Sequence, residues 1–206
     1  MFTDHQPKWR FIVLLGTLVA VVAWCFVLLA LGTKSAELLR SLPKFGLVFL
    51  LVWGAWLAFT RYAWRWECLR FKRWLVVTPD LNGRWVGKYV SMFDKKERKM
   101  TLEIHQTLLK LQCVAFGPDS VGEGYSVRLL SDGDDQNFKL VYFYHAKRKP
   151  TMSISGDEHE GVAVLRLIGD SPKRLEGYYV NDRHPAPHKG DIELRWDSAA
   201  LKGQIE

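Results

Sequence analysis

Residues Phe11 to Leu31 form 21 consecutive uncharged, mostly apolar positions, and Phe45 to Thr60 form 16 more after a 13-residue connection. A helix crossing the hydrocarbon core needs about 20 such residues, with about 17–25 tolerated. The first run therefore predicts a span outright. The second is short, but Trp53, Trp56, Tyr62, Trp64 and Trp66 suit the headgroup region, and Arg61 and Arg65 have stems long enough to reach water. Together they predict a hairpin of two transmembrane helices. The competing reading of the first run, a cleaved signal peptide, requires an apolar core of about 7–15 residues; Phe11–Leu31 is longer, and a second apolar run follows closely.

Lysine and arginine set the orientation. Lys8 and Arg10 precede the first run, and Arg61, Arg65, Arg70, Lys72 and Arg73 follow the second, against Lys34, Arg40 and Lys44 in the connection. Seven basic residues against three predict, by the positive-inside rule, a multi-pass membrane protein with cytoplasmic N- and C-termini. Residues 1–78 carry 10 Lys+Arg and 3 Asp+Glu, while residues 79–206 carry 19 of each. The formal charge of +7 thus belongs to the membrane segment. A nucleic-acid polymer as partner would require a basic face on the remainder. Cys25, Cys68 and Cys113 stand far apart, with neither disulfide-framework nor metal spacing, which suits a reducing compartment.

After Thr60 the chain stays helix-compatible as an aromatic and basic stalk to Val77, where Thr78-Pro79-Asp80 stops it. A domain boundary is expected here, with residues 1–78 as membrane hairpin and stalk and 79–206 as a separate cytoplasmic domain. From Leu81 the pattern becomes two-residue alternation broken by turn residues. Strands are expected near Gly83–Phe93, Lys99–Thr107, Leu109–Phe116, Gly124–Ser131, Asn137–His145, Gly161–Ile168, Arg174–Asn181 and Gly190–Trp196, with Thr151–Ser155 a possible short addition. Eight short strands without a convincing helix predict an all-β, antiparallel barrel, since closure removes exposed edges. A β-sandwich is the alternative.

With Trp85 pointing inward, alternation puts Gly87, Tyr89 and Ser91 on its face, groups Leu140 with Tyr142 and Tyr144, and groups Gly177 with Tyr179 and Asn181. Such an interior is either a filled aromatic core or a pocket for a flat ring system, which stacks at about 1–3 kcal/mol per base. Arg183 follows Asn181 in a loop where its guanidinium can meet a phosphate as a fork. The candidate ligand-binding residues are therefore Trp85, Tyr89, Tyr142, Tyr144, Tyr179, Asn181 and Arg183. Catalytic patterns are weak. Pro185 and Pro187 exclude the helix that would align His184 with His188 over a metal, Asp132, Asp134 and Asp135 lack a calcium loop, and no P-loop or serine elbow occurs. No cofactor, metal or enzymatic activity is expected.

Gly83-Arg84-Trp85 opening the first strand and Arg195 in the last resemble lipocalins, in which a Gly-x-Trp ring plugs one barrel end and a last-strand arginine packs across it. Leu175-Glu176-Gly177-Tyr178-Tyr179 echoes Leu81-Asn82-Gly83-Arg84-Trp85. Two spans, an aromatic-basic connector and a barrel that opens with Pro79-Asp80-Leu81-Asn82-Gly83-Arg84-Trp85-Val86-Gly87-Lys88-Tyr89 and closes with Leu175–Asn181 and Gly190–Arg195 resemble the two-transmembrane β-barrel effectors of bacterial CBASS anti-phage systems. That resemblance implies a cyclic dinucleotide ligand, made by a partner nucleotidyltransferase synthase. It further implies ligand-induced homo-oligomerisation of the membrane helices, disruption of the inner membrane and abortive infection. From the residues alone, a membrane-tethered lipocalin-like carrier of an apolar ligand and a membrane-anchored interaction scaffold remain open.

Overall fold

The computed structural model describes residues 3–4, 16–17, 20–21, 24–25, 50–66, 78–131, 137–148, 158–169, 173–182 and 188–204. The chain divides into two compact units, Gln6–Val76 and a second formed by Met1–His5 with Val77–Glu206. In the first unit residues 16–17, 20–21, 24–25 and 50–61 are helical. Among the described residues no helix is long and apolar enough to cross a membrane. Most of Phe11–Leu31 and the start of Phe45–Thr60 lie outside the described residues. The expected continuous stalk is corrected: the helix gives way to a 3-10 turn at Ala63–Arg65, and Trp66 is extended at ψ 132°. Tyr62, Trp64 and Trp66 lose rotamer freedom against a preceding helical turn, so the aromatic cluster that suits the headgroup region is a poor helix former.

The second unit is built from strands. They are β1 (Thr3–Asp4), β2 (Gly83–Ser91), β3 (Glu97–Gln106), β4 (Leu111–Phe116), β5 (Ser120–Ser131), β6 (Phe138–Arg148), β7 (His159–Ile168), β8 (Arg174–Asn181) and β9 (His188–Ser198). Strands β2 to β9 pair in sequence order, β2 pairs with β9, and every pairing is antiparallel, so eight strands close into an up-and-down barrel. The open sandwich alternative is thereby excluded. Strand β4 pairs with β5 only as far as Glu123, and the vacated far edge of β5 is taken by β1 through Thr3↔Ser131 and Asp4↔Leu130. All eight expected strands are present. Strand β5 starts at Ser120, earlier than expected, because Gly117-Pro118-Asp119 makes a tight turn with Gly117 N–H donating to Ser120 O at 2.9 Å. The possible strand Thr151–Ser155 falls outside the described residues.

Alternation fixes what lies inside. Leu102, Ile104, Leu140, Leu165, Leu175 and Leu194 are buried and converge in one core, each contributing about 1.5–3 kcal/mol when fully removed from water. Trp85 is 0% exposed and closes one end of this core. Its indole N–H donates to Leu81 O at 2.9 Å. Gln106 ties down the entering chain, accepting from Leu81 N–H at 2.7 Å and donating to Pro79 O at 3.0 Å.

The expected packing of Arg195 across this end is corrected. Its side chain is 67% exposed, outside the barrel, with Glu193 Oε1 3.7 Å away. Ile192 and Leu194 are the inward residues of β9, and strand parity turns Arg195 outward. The buried guanidinium here belongs to Arg84, which is 0% exposed and donates to Glu103 Oε1 at 2.8 Å and Gln204 O at 2.7 Å. Glu103 in turn accepts the Lys202 and Gly203 N–H groups at 2.8 and 3.1 Å, clasping the C-terminal segment over the pair.

Candidate functional site

The opposite end of the barrel is open, and the inward alternation that fills the closed end with leucine there carries tyrosine. Tyr89 and Ser91 continue the inward face of Trp85 on β2, Tyr142 and Tyr144 follow Leu140 on β6, and Tyr179 and Asn181 follow Gly177 on β8. Tyr89, Tyr142, Tyr144, Tyr179 and Asn181 all line one cavity of about 520 Å3. That volume lies within the roughly 300–1,000 Å3 typical of small-molecule pockets. Trp85 shares the inward face but belongs to the core and does not line the cavity. Arg183 lies outside the described residues.

Two glycines seat the rings. A Cβ at Gly161 on β7 would come within 2.5 Å of Tyr144 Oη, and one at Gly190 on β9 within 2.7 Å of Tyr179 Cε1. A Cβ at Gly190 would also meet the Val90 carbonyl oxygen at 2.1 Å, and one at Gly161 the Val180 carbonyl oxygen at 2.7 Å, so neither position has room for a side chain. Tyr89 and Tyr179 meet edge to face with centroids 5.8 Å apart, and Tyr142 and Tyr144 lie 5.9 Å apart. At the rim Phe93 stacks on His188 at 4.7 Å and 13°. This ring of aromatic planes offers both faces and edges to a bound ring system.

The polar groups are few and specific. Burial pushes the Tyr142 phenol well above its ordinary pKa and raises that of Tyr144, which a hydrogen bond with Asn181 partly offsets. Both are therefore neutral donors at physiological pH. The Cys113 thiol behind them is also raised by burial. Among the described residues one guanidinium faces the cavity, that of Arg98 on β3. It is engaged by Asp94, in the turn between β2 and β3, as a fork: Arg98 Nη1 donates to Asp94 Oδ1 at 3.1 Å and Nη2 to Oδ2. That hydrogen bonding lowers the Asp94 carboxyl to about 2. His188 Nε2 is buried with no hydrogen-bond partner among the described residues.

Sequence reasoning brought together the tyrosines and Asn181 but missed Arg98, Asp94, Phe93 and His188 as cavity residues. The signal for Arg98 was present, since Met100, Leu102 and Ile104 are the inward residues of β3 and Arg98 continues their parity. Phe93 and Asp94 sit in a turn, where alternation carries no information. Among the described residues no group of three His, Cys, Asp or Glu is gathered as a metal site would need.

Comparison with known proteins gives the same picture from another direction. The family model described as Cap15, cyclic dinucleotide receptor domain, matches residues 76–195. CD-NTase-associated protein 15 of Escherichia albertii is 23% identical over 171 residues, covering 82% of this chain and 84% of that protein. No solved structure matches. The resemblance to CBASS effectors read from the sequence agrees with both matches. The family match runs from the lead-in of β2 to Arg195 in β9, spanning nearly all of the barrel and more than half of the chain, and this protein therefore belongs to the Cap15 cyclic dinucleotide receptor domain family.

Proposed function

We propose that this protein is a membrane-anchored CBASS effector whose barrel cavity binds a cyclic dinucleotide from a partner nucleotidyltransferase, and whose helices then assemble and breach the inner membrane. The observation that carries the reading is the cavity itself, in which glycine-seated tyrosines surround a space faced by the Arg98 guanidinium, inside a barrel of a cyclic dinucleotide receptor family. The two bases stack on Tyr89, Tyr144 and Tyr179, a contribution of about 1–3 kcal/mol per base. A phosphate takes the Arg98 fork from Asp94 and gains a charge-assisted bidentate contact. From its place two residues after Asn181 in the sequence, Arg183 is proposed to add a second cation, and His188 Nε2 and Asn181 supply polar edges.

Membrane anchoring is supported by the helix 50–61, where Leu50, Leu51, Val52, Trp53 and Leu57 are all exposed apolar side chains. Both termini face the cytoplasm, following the seven-to-three balance of basic residues. Gly16, Thr17 and Ala20, and Gly54, Ala55 and Ala58, offer small faces for helix contacts. A Cβ at Gly16 or Gly54 would meet nothing within 4 Å. Ligand can drive such assembly only by binding the assembled state more tightly, at about 1.4 kcal/mol for each tenfold shift. The protein acts as a receptor and carries out no catalysis.

The test is calorimetry of the full chain in detergent micelles against a panel of cyclic dinucleotides and, separately, fatty acids, followed by dye release from liposomes containing the chain. Binding of one dinucleotide and leakage dependent on it are expected. Heat from fatty acids alone would replace the reading with that of an apolar-ligand carrier.

A further inference from the structure

Two phosphodiesters make a cyclic dinucleotide a dianion, and the cavity is short of positive charge to meet it. Among the described residues its lining carries one guanidinium, on Arg98, and two carboxylates, on Asp94 and Asp119. Counting the proposed Arg183 only brings the lining to neutrality. A charge taken out of water needs a partner of opposite sign, so the ligand calls for a further cation. The described lining groups left to supply one are the imidazoles of His159 and His188.

Of the two, His188 is held ready for a ligand. It opens β9 opposite Asn181, and its backbone N–H donates to Asn181 Oδ1 at 3.3 Å. Its ring lies flat against that of Phe93, with centroids 4.7 Å apart and planes 13° from parallel. These contacts use the main chain and one ring face, and neither engages Nε2, which is buried with no hydrogen-bond partner among the described residues. Native structures leave few buried polar atoms unpaired without a use for them. His159 is placed differently: it stands edge-on to Tyr144, with ring centroids 6.4 Å apart, and backs that phenol.

A phosphodiester oxygen only accepts hydrogen bonds, and an imidazole is cationic, with both nitrogens donating, only when protonated. The geometry points to His188 as the second phosphate-binding group of the cavity: as the ligand enters, its imidazole takes a proton from solvent, and Nε2 donates a charge-assisted hydrogen bond to the phosphodiester that Arg98 does not hold. This deepens the ligand reading above and rests on it. On the strands and turn that flank His188, the ionisable groups are the paired Asp94 and Arg98, the phenols of Tyr89 and Tyr179, and the exposed Lys95, Lys96, Asp182 and Lys189. Water and salt screen the exposed four, and Asp94 and Arg98 offset each other. The phosphate is therefore the charge that decides whether the imidazole is protonated.

Calorimetry of the full chain in detergent micelles tests it, with 3′–5′-linked cyclic di-AMP, cyclic di-GMP, cyclic GMP-AMP and cyclic UMP-AMP as probes. Titrations at pH 6, 7 and 8, in buffers of low and of high ionisation enthalpy, read affinity and proton uptake together. An imidazole in water titrates at about pH 6.5, so a probe that binds should do so about tenfold more tightly at pH 6 than at pH 8, taking up about half a proton or more at pH 7. His188→Phe, which keeps the stack on Phe93, should bind about tenfold more weakly than the unaltered chain at pH 6 and lose both the proton uptake and the pH dependence. His188→Gln, which keeps a neutral donor, should recover part of the affinity and still take up no proton. Binding to the unaltered chain without proton uptake, or uptake that persists in both variants and so belongs to another group such as His159, would overturn the proposal and leave the ligand reading standing. No heat from any of the four probes at any pH would overturn both.

Discussion

The two ends of the barrel are built from the same alternating strands and do opposite things. At the closed end Trp85, Leu81 and Leu175 leave no space, and the entering and leaving segments are tied down by Gln106 and by the Arg84–Glu103 pair. At the open end the inward residues become tyrosine, the neighbouring strands supply glycine, and the partly exposed Arg98 and Asp94 pair with each other. Stability is concentrated at one end and adaptability at the other. A rigid scaffold that carries a site on its loops and strand ends follows this division generally.

The sharpest way to break the comparison is Trp85→Ala. Removing a fully buried aromatic that closes a core costs about 3–5 kcal/mol, and unfolding by denaturant, followed by circular dichroism, should show this loss. A variant as stable as the parent would mean that the closed end does not hold the barrel together.

A smaller effect of the opposite kind is expected at the open end. Arg98→Ala should weaken dinucleotide binding by about 1.5–3 kcal/mol through loss of a charged hydrogen bond, read by calorimetry. Its pair with Asp94 is partly exposed and solvent-screened, and so contributes little to the fold; the unfolding midpoint should scarcely move. Reversed magnitudes would assign Arg98 to the scaffold.

Smallest is Asp94→Asn, which leaves Arg98 in place without its competing carboxylate. Affinity should rise by less than about tenfold, because exposed pairs are weak. The pH dependence sharpens the point. The Arg98 hydrogen bond depresses the Asp94 carboxyl from 3.8 to about 2 in the folded chain. Its stabilising contribution is therefore complete above pH 3.8 and is lost as pH falls through about 2. Acid unfolding in that window should be shallower in the asparagine variant than in the parent.

Much of this architecture was legible in the sequence because a barrel strand broadcasts its faces. Two-residue alternation placed Tyr89, Tyr142, Tyr144 and Tyr179 on one surface, and the turn at Gly117-Pro118-Asp119 marked the β4–β5 corner. Parity would also have turned Arg98 inward and Arg195 outward. The resemblance to lipocalins drew attention to Arg195 and away from Arg84, whose burial depends on a C-terminal segment that no local pattern connects to β2. Phe93 and His188 were illegible for a different reason: they reach the rim from a turn and a strand start, and only tertiary closure stacks them. The aromatic run Tyr62, Trp64 and Trp66 was read for its affinity for the headgroup region, and the same bulk that provides it ends the helix.

Seven seams of the barrel join strands that follow one another in the chain, and one joins β2 to β9, the first and last of the eight. Chains emerge from the ribosome N-terminus first, so hairpins up to β8 can form during synthesis while the final seam waits for Gly190, Ile192 and Leu194. Until then β2 and β8 are raw edges and the space behind Tyr179 has no wall. A premature stop or a proteolytic cut ahead of His188 therefore produces a chain that is deaf to its messenger. Damage during synthesis thus leaves the receptor cavity unformed.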